Sequence, residues 1–248
     1  MNPLEFATLV HAEKSLWWFR GMQKILFRLL DPMVSGRTVR RGIEAGCGTG
    51  YFAGLVERRY GWPVFPIDLS WEGLTRGRQA GARRLAQADI RALPYASGSF
   101  DVALSLDVLV HLERGAERQP LAEFARVLSP GGLLAIRVSA LDILRSRHSQ
   151  FAGERQRFTR RRLLQAVEEQ GFRVLRCTYA NSLLMPVALA RFRIWEPLTR
   201  QAPRSGTAPA PGWLDRLLYL PLAAESAWLG AGMNFPAGQS LILMGEKA

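Results

Sequence analysis

The sequence is poor in cysteine: Cys47 and Cys177 are the only two in 248 residues, too few for a disulfide framework or a cysteine metal site. It also lacks any run of about 18 apolar residues, so we expect no transmembrane helix. Glu5, His11 and Lys14 interrupt the N-terminal region, so we expect no signal peptide. Together these absences favour a globular, cytoplasmic protein without a bound metal.

Lysine is equally scarce: Lys14, Lys24 and Lys247 are the only lysines, so arginine supplies nearly all of the positive charge. The net charge is +12, and such an excess is typical of proteins that bind nucleic acid or an anionic membrane surface. An arginine-rich composition also arises from coding bias. We therefore do not expect nucleic acid as a partner, whereas peripheral contact with the inner face of the membrane stays open, as does the oligomeric state.

The stretch that organises the chain is 43–50, Ile-Glu-Ala-Gly-Cys-Gly-Thr-Gly, which lies between a β-prone segment and a helical pattern at 50–60. Glycine has no Cβ, so it permits a tight turn and a close approach of a ligand to the backbone. A strand, a glycine-rich turn and a helix N-terminus form the nucleotide cradle of a doubly wound sheet. Read from Gly48, the turn also fits the dinucleotide pattern, so this motif alone leaves a nicotinamide cofactor open.

Apolar, β-prone stretches alternate with helical patterns along most of the chain. The alternation predicts a parallel sheet with crossover helices, and hence an α/β fold with a Rossmann-like, seven-stranded, doubly wound sheet. One long helix is predicted over 4–30, broken by Asp31-Pro32 and Ser35-Gly36. A later helix over 118–128 is expected to stop in the Ser-Pro-Gly-Gly turn at 129–132. The strands are predicted at 38–45, 64–67, 85–88, 100–106, 133–138, 172–179 and 240–244.

We divide the chain into a helical cap at 1–36, a core at 37–180, a helical insertion at 181–239 and a final core strand at 240–248. The insertion contains two apolar helical segments, 182–199 and 213–230, joined by a linker at 201–212 that its composition makes flexible. Tryptophans and arginines on these segments suit a lid over an apolar acceptor or a membrane helix lying on the surface. A helical pair that simply packs on the sheet is the alternative. The flanking arginines are Arg191, Arg193, Arg200 and Arg216.

Five motifs occur in a fixed order: Glu-x-Gly-x-Gly-x-Gly at 44–50, an aspartate at 68, Ala-Asp-Ile at 88–90, the segment 104–112, and Arg-Val-Leu-Ser-Pro-Gly-Gly at 126–132. Over residues 38–180 their spacing resembles that of class I S-adenosylmethionine-dependent methyltransferases, in particular the type 11, ubiquinone-biosynthesis-like, small-molecule branch. The resemblance implies a sheet whose last strand is antiparallel. It also implies S-adenosylmethionine as cofactor, S-adenosylhomocysteine as product, and methyl transfer to an oxygen or carbon of a small, lipidic or glycan-linked acceptor.

The same resemblance implies a role for each residue of the glycine turn. Gly46, Gly48 and Gly50 would let the backbone pass beneath the cofactor, with Cys47 as a small residue between them. The helix N-terminus after Gly50 would face the methionine carboxylate, because that end of a helix favours an anion. Glu44 would lie near the sulfonium or amino group.

Residues after the next strands complete the implied cofactor site. Asp68 would accept hydrogen bonds from both ribose hydroxyls, and Leu69 would pack on the adenine. Asp89 would accept a hydrogen bond from the adenine amino group, with the backbone of Ile90 beside it. Leu106 would line the methyl-transfer site.

Catalytic and substrate residues are less well defined by the motifs. Asp107 would also line the methyl-transfer site, and His111 can act as a general base or as a structural residue at a helix start. The Trp17-Trp18-Phe19 segment cannot direct all of its rings to one core, so at least one is expected to contact a second surface. This segment and the region around His148 resemble an uncharacterised bacterial subgroup often found with glycan or lipid-envelope pathways. That subgroup commonly carries a second histidine where this sequence has Glu154.

Three other functions are alternatives to methyl transfer to a small molecule. A nicotinamide-dependent oxidoreductase of the short-chain type needs a tyrosine followed four residues later by lysine, and no tyrosine here is so followed. Methyltransferases that act on base amines carry Asn/Asp-Pro-Pro-aromatic after the fourth strand, whereas residues 106–109 are Leu-Asp-Val-Leu. A catalytically idle, membrane-associated binding module is the third alternative.

Overall fold

The computed structural model describes residues 5–199, 202–203, 205–207 and 211–248. The first four residues of the predicted cap, Arg200, and linker positions 201, 204 and 208–210 lie outside the described residues. The helices are α1 (Glu5–Ser15), α2 (Trp17–Val34), α3 (Tyr51–Tyr60), α4 (Trp71–Gln79), α5 (Arg118–Val127), α6 (Arg147–Phe151), α7 (Arg160–Glu168), α8 (Met185–Ala190), α9 (Glu196–Thr199) and α10 (Gly212–Gly230). The strands are β1 (Gly42–Ala45), β2 (Val64–Asp68), β3 (Ala86–Gln87), β4 (Phe100–Leu106), β5 (Leu128–Ser139), β6 (Phe172–Ala180) and β7 (Ser240–Lys247).

Within the described residues, these strands form one sheet of seven in the order β3-β2-β1-β4-β5-β7-β6. Neighbouring strands from β3 to β5 are parallel, and β7 runs antiparallel to both β5 and β6. The predicted fold class, including the antiparallel last strand, is therefore confirmed. The carboxyl ends of β1, β2, β4 and β5 meet at one edge, which is where doubly wound sheets bind their ligands.

Helices cover both faces of the sheet because successive residues of its central strands are buried on opposite sides. In β4, Ala103 packs into a cluster with Phe124 of α5, while Leu104 packs into a second cluster with Ile25 of α2. Leu222 of α10 belongs to that second cluster and is fully buried. The helix α10 is thus part of the core, and the alternative of helices that pack on the sheet holds for this half of the insertion. The division of the chain at 36, 180 and 239 stays a prediction.

The predicted N-terminal helix is wrong in its bounds. The chain is extended at Leu16 (φ −69°, ψ 134°), which separates α1 from α2. This break turns α1 across the glycine turn, so that its buried residues contact a different surface from those of α2. At the other end, α2 continues through Pro32 to Val34, and its last turn is closed by the Ser35 N–H, which donates to the carbonyl of Asp31.

Two strands, β1 and β5, begin four or more residues away from their predicted starts. β1 begins only at Gly42, because the preceding N–H groups of Arg40 and Arg41 donate to Asp101 Oδ2 at 2.8 and 3.2 Å instead of joining the sheet. β5 begins at Leu128, so the Ser-Pro-Gly-Gly segment predicted as a turn lies within the strand. A register shift opposite this segment, between Phe100 and Val102 of β4, accommodates it.

Helix α4 packs tightly on the glycine turn, and this contact gives a stability prediction. A Cβ at Gly77 would lie 2.0 Å from the carbonyl oxygen of Thr49. We expect Gly77→Ala to lower the free energy of unfolding by about 2 kcal/mol in urea denaturation, because overpacking typically costs roughly 1–3 kcal/mol. Gly54→Ala is the control, since its Cβ would meet only the flexible Arg58 side chain, at 3.4 Å. Equal stabilities of the two variants would contradict this packing.

Candidate active site

A single cavity of about 1210 Å³ lies at the carboxyl edge of the sheet. All but one of the site residues predicted from the sequence line it; the exception is Gly50. The lining residues that were predicted are Trp17, Trp18, Glu44, Gly46, Cys47, Gly48, Asp68, Leu69, Asp89, Ile90, Leu106, Asp107, His111 and His148.

The glycines of the turn all have left-handed backbone angles, with φ of 84°, 59° and 72° at Gly46, Gly48 and Gly50. A Cβ at Gly46 would lie 2.2 Å from Val108, and one at Gly50 would lie 2.8 Å from Leu85. Any larger residue at these two positions would clash with its neighbours, so glycine is required there by the packing as well as by the backbone angle. At Gly48 a Cβ would find its nearest neighbours at 3.7 Å, so there the backbone angle is the main requirement.

Glu44 lies at the end of β1, and one of its oxygens already has a structural role. Its Oε2 accepts the N–H of Ala53 at 2.8 Å, while Thr49 Oγ1 accepts the N–H of Tyr51 at 3.3 Å. Two N–H groups at the N-terminus of α3 are thus satisfied within the protein, although the resemblance implied that this end faces the methionine carboxylate. Burial, and to a smaller extent the nearby carboxylates of Glu13 and Asp68, raise the pKa of Glu44 to about 8, although the Ala53 N–H and Arg137 act in the opposite direction.

Asp68 links the glycine turn to the start of α4. Its Oδ2 accepts the N–H of Gly48 and its Oδ1 accepts the N–H of Ser70, each at 2.7 Å. Burial raises the pKa of Asp68. Because each carboxylate oxygen has two lone pairs, both oxygens keep an acceptor position for a hydroxyl group.

Glu13 of α1 was not predicted as a site residue. Its Oε1 accepts the hydroxyl of Thr49 at 2.5 Å, and the side chain is buried within the cavity wall. Burial raises the pKa of Glu13 to about 7. No sequence motif joins two residues 36 positions apart, so only the break at Leu16 and the crossing of α1 over the turn bring them together.

The acidic end of the cavity, formed by Glu13, Glu44 and Asp68, distinguishes the two cofactor classes that the glycine turn left open. A cation draws these buried carboxyl groups into the ionised form, so they attract the sulfonium and ammonium groups of S-adenosylmethionine, whereas an anionic pyrophosphate would oppose their ionisation. Asp68 offers acceptors for ribose hydroxyls, which both cofactor classes contain. The residues present therefore fit S-adenosylmethionine and fit a nicotinamide dinucleotide poorly.

Of the two side chains expected near adenine, one is free to contact a ligand and the other is already paired. Leu69 is 63% exposed at the cavity wall, which leaves its side chain free to pack on a ring. Asp89, by contrast, is paired with Arg91, whose Nε and Nη2 donate to its Oδ2 at 3.0 and 2.6 Å. This pairing lowers the pKa of Asp89. Hydrogen bonding to an adenine amino group would compete with Arg91 for this carboxylate.

Asp107 and Arg137 form an ion pair where β4 and β5 end. Arg137 Nε and Nη2 both donate to Asp107 Oδ2, at 2.9 and 2.5 Å, and the Arg137 side chain is 9% exposed. Asp107 has a left-handed φ of 59°, which costs energy in a residue other than glycine. The Trp18 ring lies over the guanidinium, 5.0 Å from its carbon atom. One aromatic of the Trp17-Trp18-Phe19 segment thus contacts a second surface, as the sequence predicted.

His111 lies in a 3₁₀ turn, Leu109–His111, rather than at the start of an α-helix. Its Nδ1–H donates to the carbonyl of Gly153 at 3.1 Å, which leaves Nε2 as the nitrogen with a lone pair. Burial lowers the pKa of His111, so the neutral imidazole predominates at neutral pH. Geometry and protonation both permit this side chain to accept a proton.

Several other residues have structural contacts. The Trp17 N–H donates to Asp215 Oδ1 of α10 at 2.7 Å, and His148 Nδ1 accepts the N–H of Gly206 at 2.9 Å. Glu154, which replaces the second histidine, forms a buried ion pair with Arg157 at 3.0 Å. The thiol of Cys47 has a pKa raised well above its usual value by burial, so it is not a nucleophile at neutral pH.

Asn181, at the end of β6, is a further residue that sequence reasoning missed. It lines the cavity, is 2% exposed and has a left-handed φ of 54°. Its Oδ1 is buried without a hydrogen-bond partner in the described part of the chain. Such an atom is costly unless a ligand or water supplies a donor.

Part of this chain matches a known protein family. Residues 43–136 match the family described as "Methyltransferase domain". This match, together with methyltransferase relatives and methyltransferase structures of the same fold, supports a class I S-adenosylmethionine-dependent methyltransferase. The cofactor of this family is S-adenosylmethionine, in agreement with the acidic end of the cavity.

Among curated proteins, the methyltransferase chain is 30% identical over 158 residues to the O-methyltransferase resE of Aspergillus sclerotiorum, covering 58% of this chain and 59% of that one. It is 37% identical over 126 residues to malonyl-[acyl-carrier protein] O-methyltransferase of Laribacter hongkongensis, covering 46% and 42%. The chain thus spans about half the length of these relatives.

A solved structure of a putative sarcosine dimethylglycine methyltransferase from Galdieria sulphuraria has the same fold. Its TM-score is 0.61 at 17% identity, and the match covers 92% of this methyltransferase chain and 85% of that one. At such low identity the likeness concerns the fold alone.

Proposed function

We propose that this protein transfers a methyl group from S-adenosylmethionine to an oxygen or carbon atom of a small or lipidic acceptor. The observation that carries the proposal is one cavity whose acidic end, Glu13, Glu44 and Asp68, fits the cofactor, and which also holds two proton acceptors, Asp107 and His111. Both relatives are named as O-methyltransferases, which favours an oxygen acceptor.

When bound, S-adenosylmethionine supplies a methyl group on a sulfonium, which is a good leaving group. The protein then needs to orient the acceptor and remove its proton, and it needs no covalent nucleophile. Asp107 accepts from Arg137 only through Oδ2, so Oδ1 can accept a hydrogen bond or proton from an acceptor hydroxyl. His111 Nε2 is the alternative proton acceptor. We assign Arg137 a positioning role, because it fixes the orientation of the Asp107 carboxylate.

The rest of the cavity supports an acceptor with both polar and apolar parts. The unpartnered Asn181 Oδ1 calls for a hydrogen-bond donor, such as an acceptor hydroxyl. The Arg147 guanidinium donates to the neutral oxygens of Thr199 and of the Glu196 backbone, while the Glu196 carboxylate accepts the backbone N–H of Arg147 at 2.9 Å. Arg191 makes no ion pair within the described residues. These arginines lie among aromatic and aliphatic side chains, so an amphiphile with oxygen-rich or anionic groups fits.

The experiment that tests this function is a labelled-methyl transfer assay on a cell lysate separated into lipid, glycan, small-molecule and nucleic-acid fractions. We expect label in the lipid, glycan or small-molecule fractions. Label confined to nucleic acid, or no label in any fraction from a protein that binds the cofactor, would contradict the proposed acceptor class.

A surface beside the cavity supports peripheral membrane contact. Exposed residues at 187, 191, 194, 195 and 198 lie along α8, the π-helical turn Arg191–Trp195 that follows it, and α9. We call this the α8–α9 face: Val187, Arg191, Ile194, Trp195 and Leu198. Apolar and basic side chains on one exposed face suit the boundary region of an anionic bilayer. No helix in the described ranges is long and apolar enough to cross a membrane.

We expect the intact protein to co-float with anionic vesicles at low salt. The double variant Ile194→Glu, Trp195→Glu should bind these vesicles at least about tenfold more weakly, because two large apolar side chains would no longer enter the bilayer. Deleting 182–230 is unsuitable, because it removes Leu222 from the core. Trp71→Glu, an exposed tryptophan on α4, is the matched control. Failure of the wild type to float would remove the membrane proposal.

A further inference from the structure

The helix α1 covers the cofactor end of the cavity. Phe6 and Leu9 are buried, and their side chains lie 3.7 Å from the position that a Cβ at Gly48 would occupy. Phe6 also lies against Gly73 of α4, where an added Cβ would be 2.7 Å from its ring. A segment that is separated from α2 at Leu16 therefore closes over the glycine turn by apolar packing.

Glu13, in the last turn of α1, is the acidic residue that this closure brings to the cavity. Its carboxylate accepts the Thr49 hydroxyl, and its backbone carbonyl accepts the Gln23 side-chain amide at 2.9 Å. Within the described residues no arginine, lysine or histidine forms an ion pair with Glu13. The neighbouring Lys14 ammonium instead lies 5.9 Å from the centre of the Tyr51 ring.

Among the described residues, no cation forms an ion pair with the carboxylates at this end. Glu44 of β1 and Asp68 of β2 line the same cavity as Glu13, and burial raises the pKa of each of the three carboxyl groups. The positive groups of the described residues that act on the cluster are Lys14, which favours ionised Glu13, Arg137, which favours ionised Glu44, and His111, which favours ionised Asp68. Arg137 is already paired with Asp107. Buried carboxylates whose hydrogen bonds come only from neutral groups are costly when ionised, so a cationic ligand is favoured here.

We propose that Glu13 is a cofactor-binding residue, supplied by α1, that recognises the positive charge of S-adenosylmethionine. This inference rests on the proposed use of that cofactor. It makes α1 part of the site, so that occupancy by the cofactor holds α1 closed over the glycine turn. It also distinguishes cofactor from product, because S-adenosylmethionine carries a sulfonium charge that S-adenosylhomocysteine lacks.

The first test is isothermal titration calorimetry of S-adenosylmethionine and S-adenosylhomocysteine against the wild type and Glu13→Gln. We expect the variant to bind S-adenosylmethionine about tenfold more weakly, the equivalent of about 1.4 kcal/mol, and S-adenosylhomocysteine with a smaller loss. Glu72→Gln is the matched control, since it removes the same charge from an exposed residue on α4 that is paired with Arg76. Its affinities should equal those of the wild type.

Equal affinities of Glu13→Gln and the wild type for both ligands would overturn the inference and leave the proposed function standing. Failure of the wild type to bind S-adenosylmethionine would instead overturn the proposed function. Near-ultraviolet circular dichroism of the variant establishes that it is folded before either titration.

Two measurements on the wild type keep the inference testable if the variant does not fold. Amides of residues 5–15 should exchange hydrogen more slowly when S-adenosylmethionine is bound, because α1 is held closed. Titration near pH 7 in buffers of different ionisation enthalpy should show proton release, because a cation favours ionised Glu13 and Glu44. Affinity for S-adenosylmethionine should accordingly rise as the pH increases from 6 to 8. Unchanged exchange in 5–15, or no proton release, would overturn the inference.

Discussion

Asp68→Ala is expected to weaken the binding of S-adenosylmethionine about 100-fold, since hydrogen bonds to a charged group contribute roughly 1.5–3 kcal/mol each. The carboxylate would lose its bonds to both ribose hydroxyls. It would also release the N–H groups of Gly48 and Ser70, which it holds at 2.7 Å, so the glycine turn would lose its fixed shape. Isothermal titration calorimetry measures the change in dissociation constant.

Two variants separate these contributions. Asp68→Asn keeps the size of the side chain and one acceptor oxygen, so we expect an intermediate affinity. Asp142→Ala removes an exposed carboxylate whose side chain is 70% accessible, and it should bind like the wild type. Wild-type affinity in Asp68→Ala would refute the assignment of the ribose site.

Arg137→Met is expected to lower methyl transfer about 100-fold on the acceptor fraction that the wild type labels, while the affinity for S-adenosylmethionine changes less than about threefold. The arginine holds Asp107 in a left-handed backbone conformation and lies beneath Trp18. Without Arg137, the Asp107 carboxylate and the Trp18 ring each lose a contact that fixes their position. Loss of a positioned charged contact typically lowers the rate by roughly 10²–10³-fold. Initial-rate assays measure the effect.

Arg173→Met is the control, because Arg173 lies on β6, which β7 separates from β5, and its side chain is 70% exposed. It should retain wild-type rates. Arg137→Lys keeps the charge but cannot place two N–H groups on one carboxylate oxygen in the same way, so partial recovery of the rate is expected. Full activity in Arg137→Met would show that the Asp107–Arg137 pair has no part in the reaction.

The sequence predicted those parts of the fold that depend on local pattern. Residues 100–106 form a strand with the predicted bounds, because an apolar run buried on both faces permits little else. Ser70 and Thr159 carry hydroxyl side chains of the kind preferred at helix N-caps, and each accepts an N–H from three residues further on. The motif residues after β1, β2 and β4 converge on one cavity, since the carboxyl ends of parallel strands share an edge.

What the sequence could not predict depends on contacts between distant segments. Glu13 meets Thr49 only because the chain breaks at Leu16, a residue with no helix-breaking chemistry of its own. Asn181 becomes notable only when burial shows that its oxygen has no partner. The packing of α10 could not be predicted from the sequence either, because its apolar residues suited a lid, a membrane helix or a core helix. Buried Leu222, set against Gly21 of α2, shows that one side of α10 packs into the core, while Trp213 and Leu220 of the same helix are exposed.

The central claim is that the acidic cavity behind the glycine turn binds S-adenosylmethionine and not a dinucleotide. The most direct test is to titrate the intact wild-type protein at pH 7.5 with S-adenosylmethionine and, in a parallel experiment, with NADH. We predict saturable binding of one S-adenosylmethionine per chain and no detectable heat from NADH. Saturable binding of NADH, with none of S-adenosylmethionine, would contradict the claim.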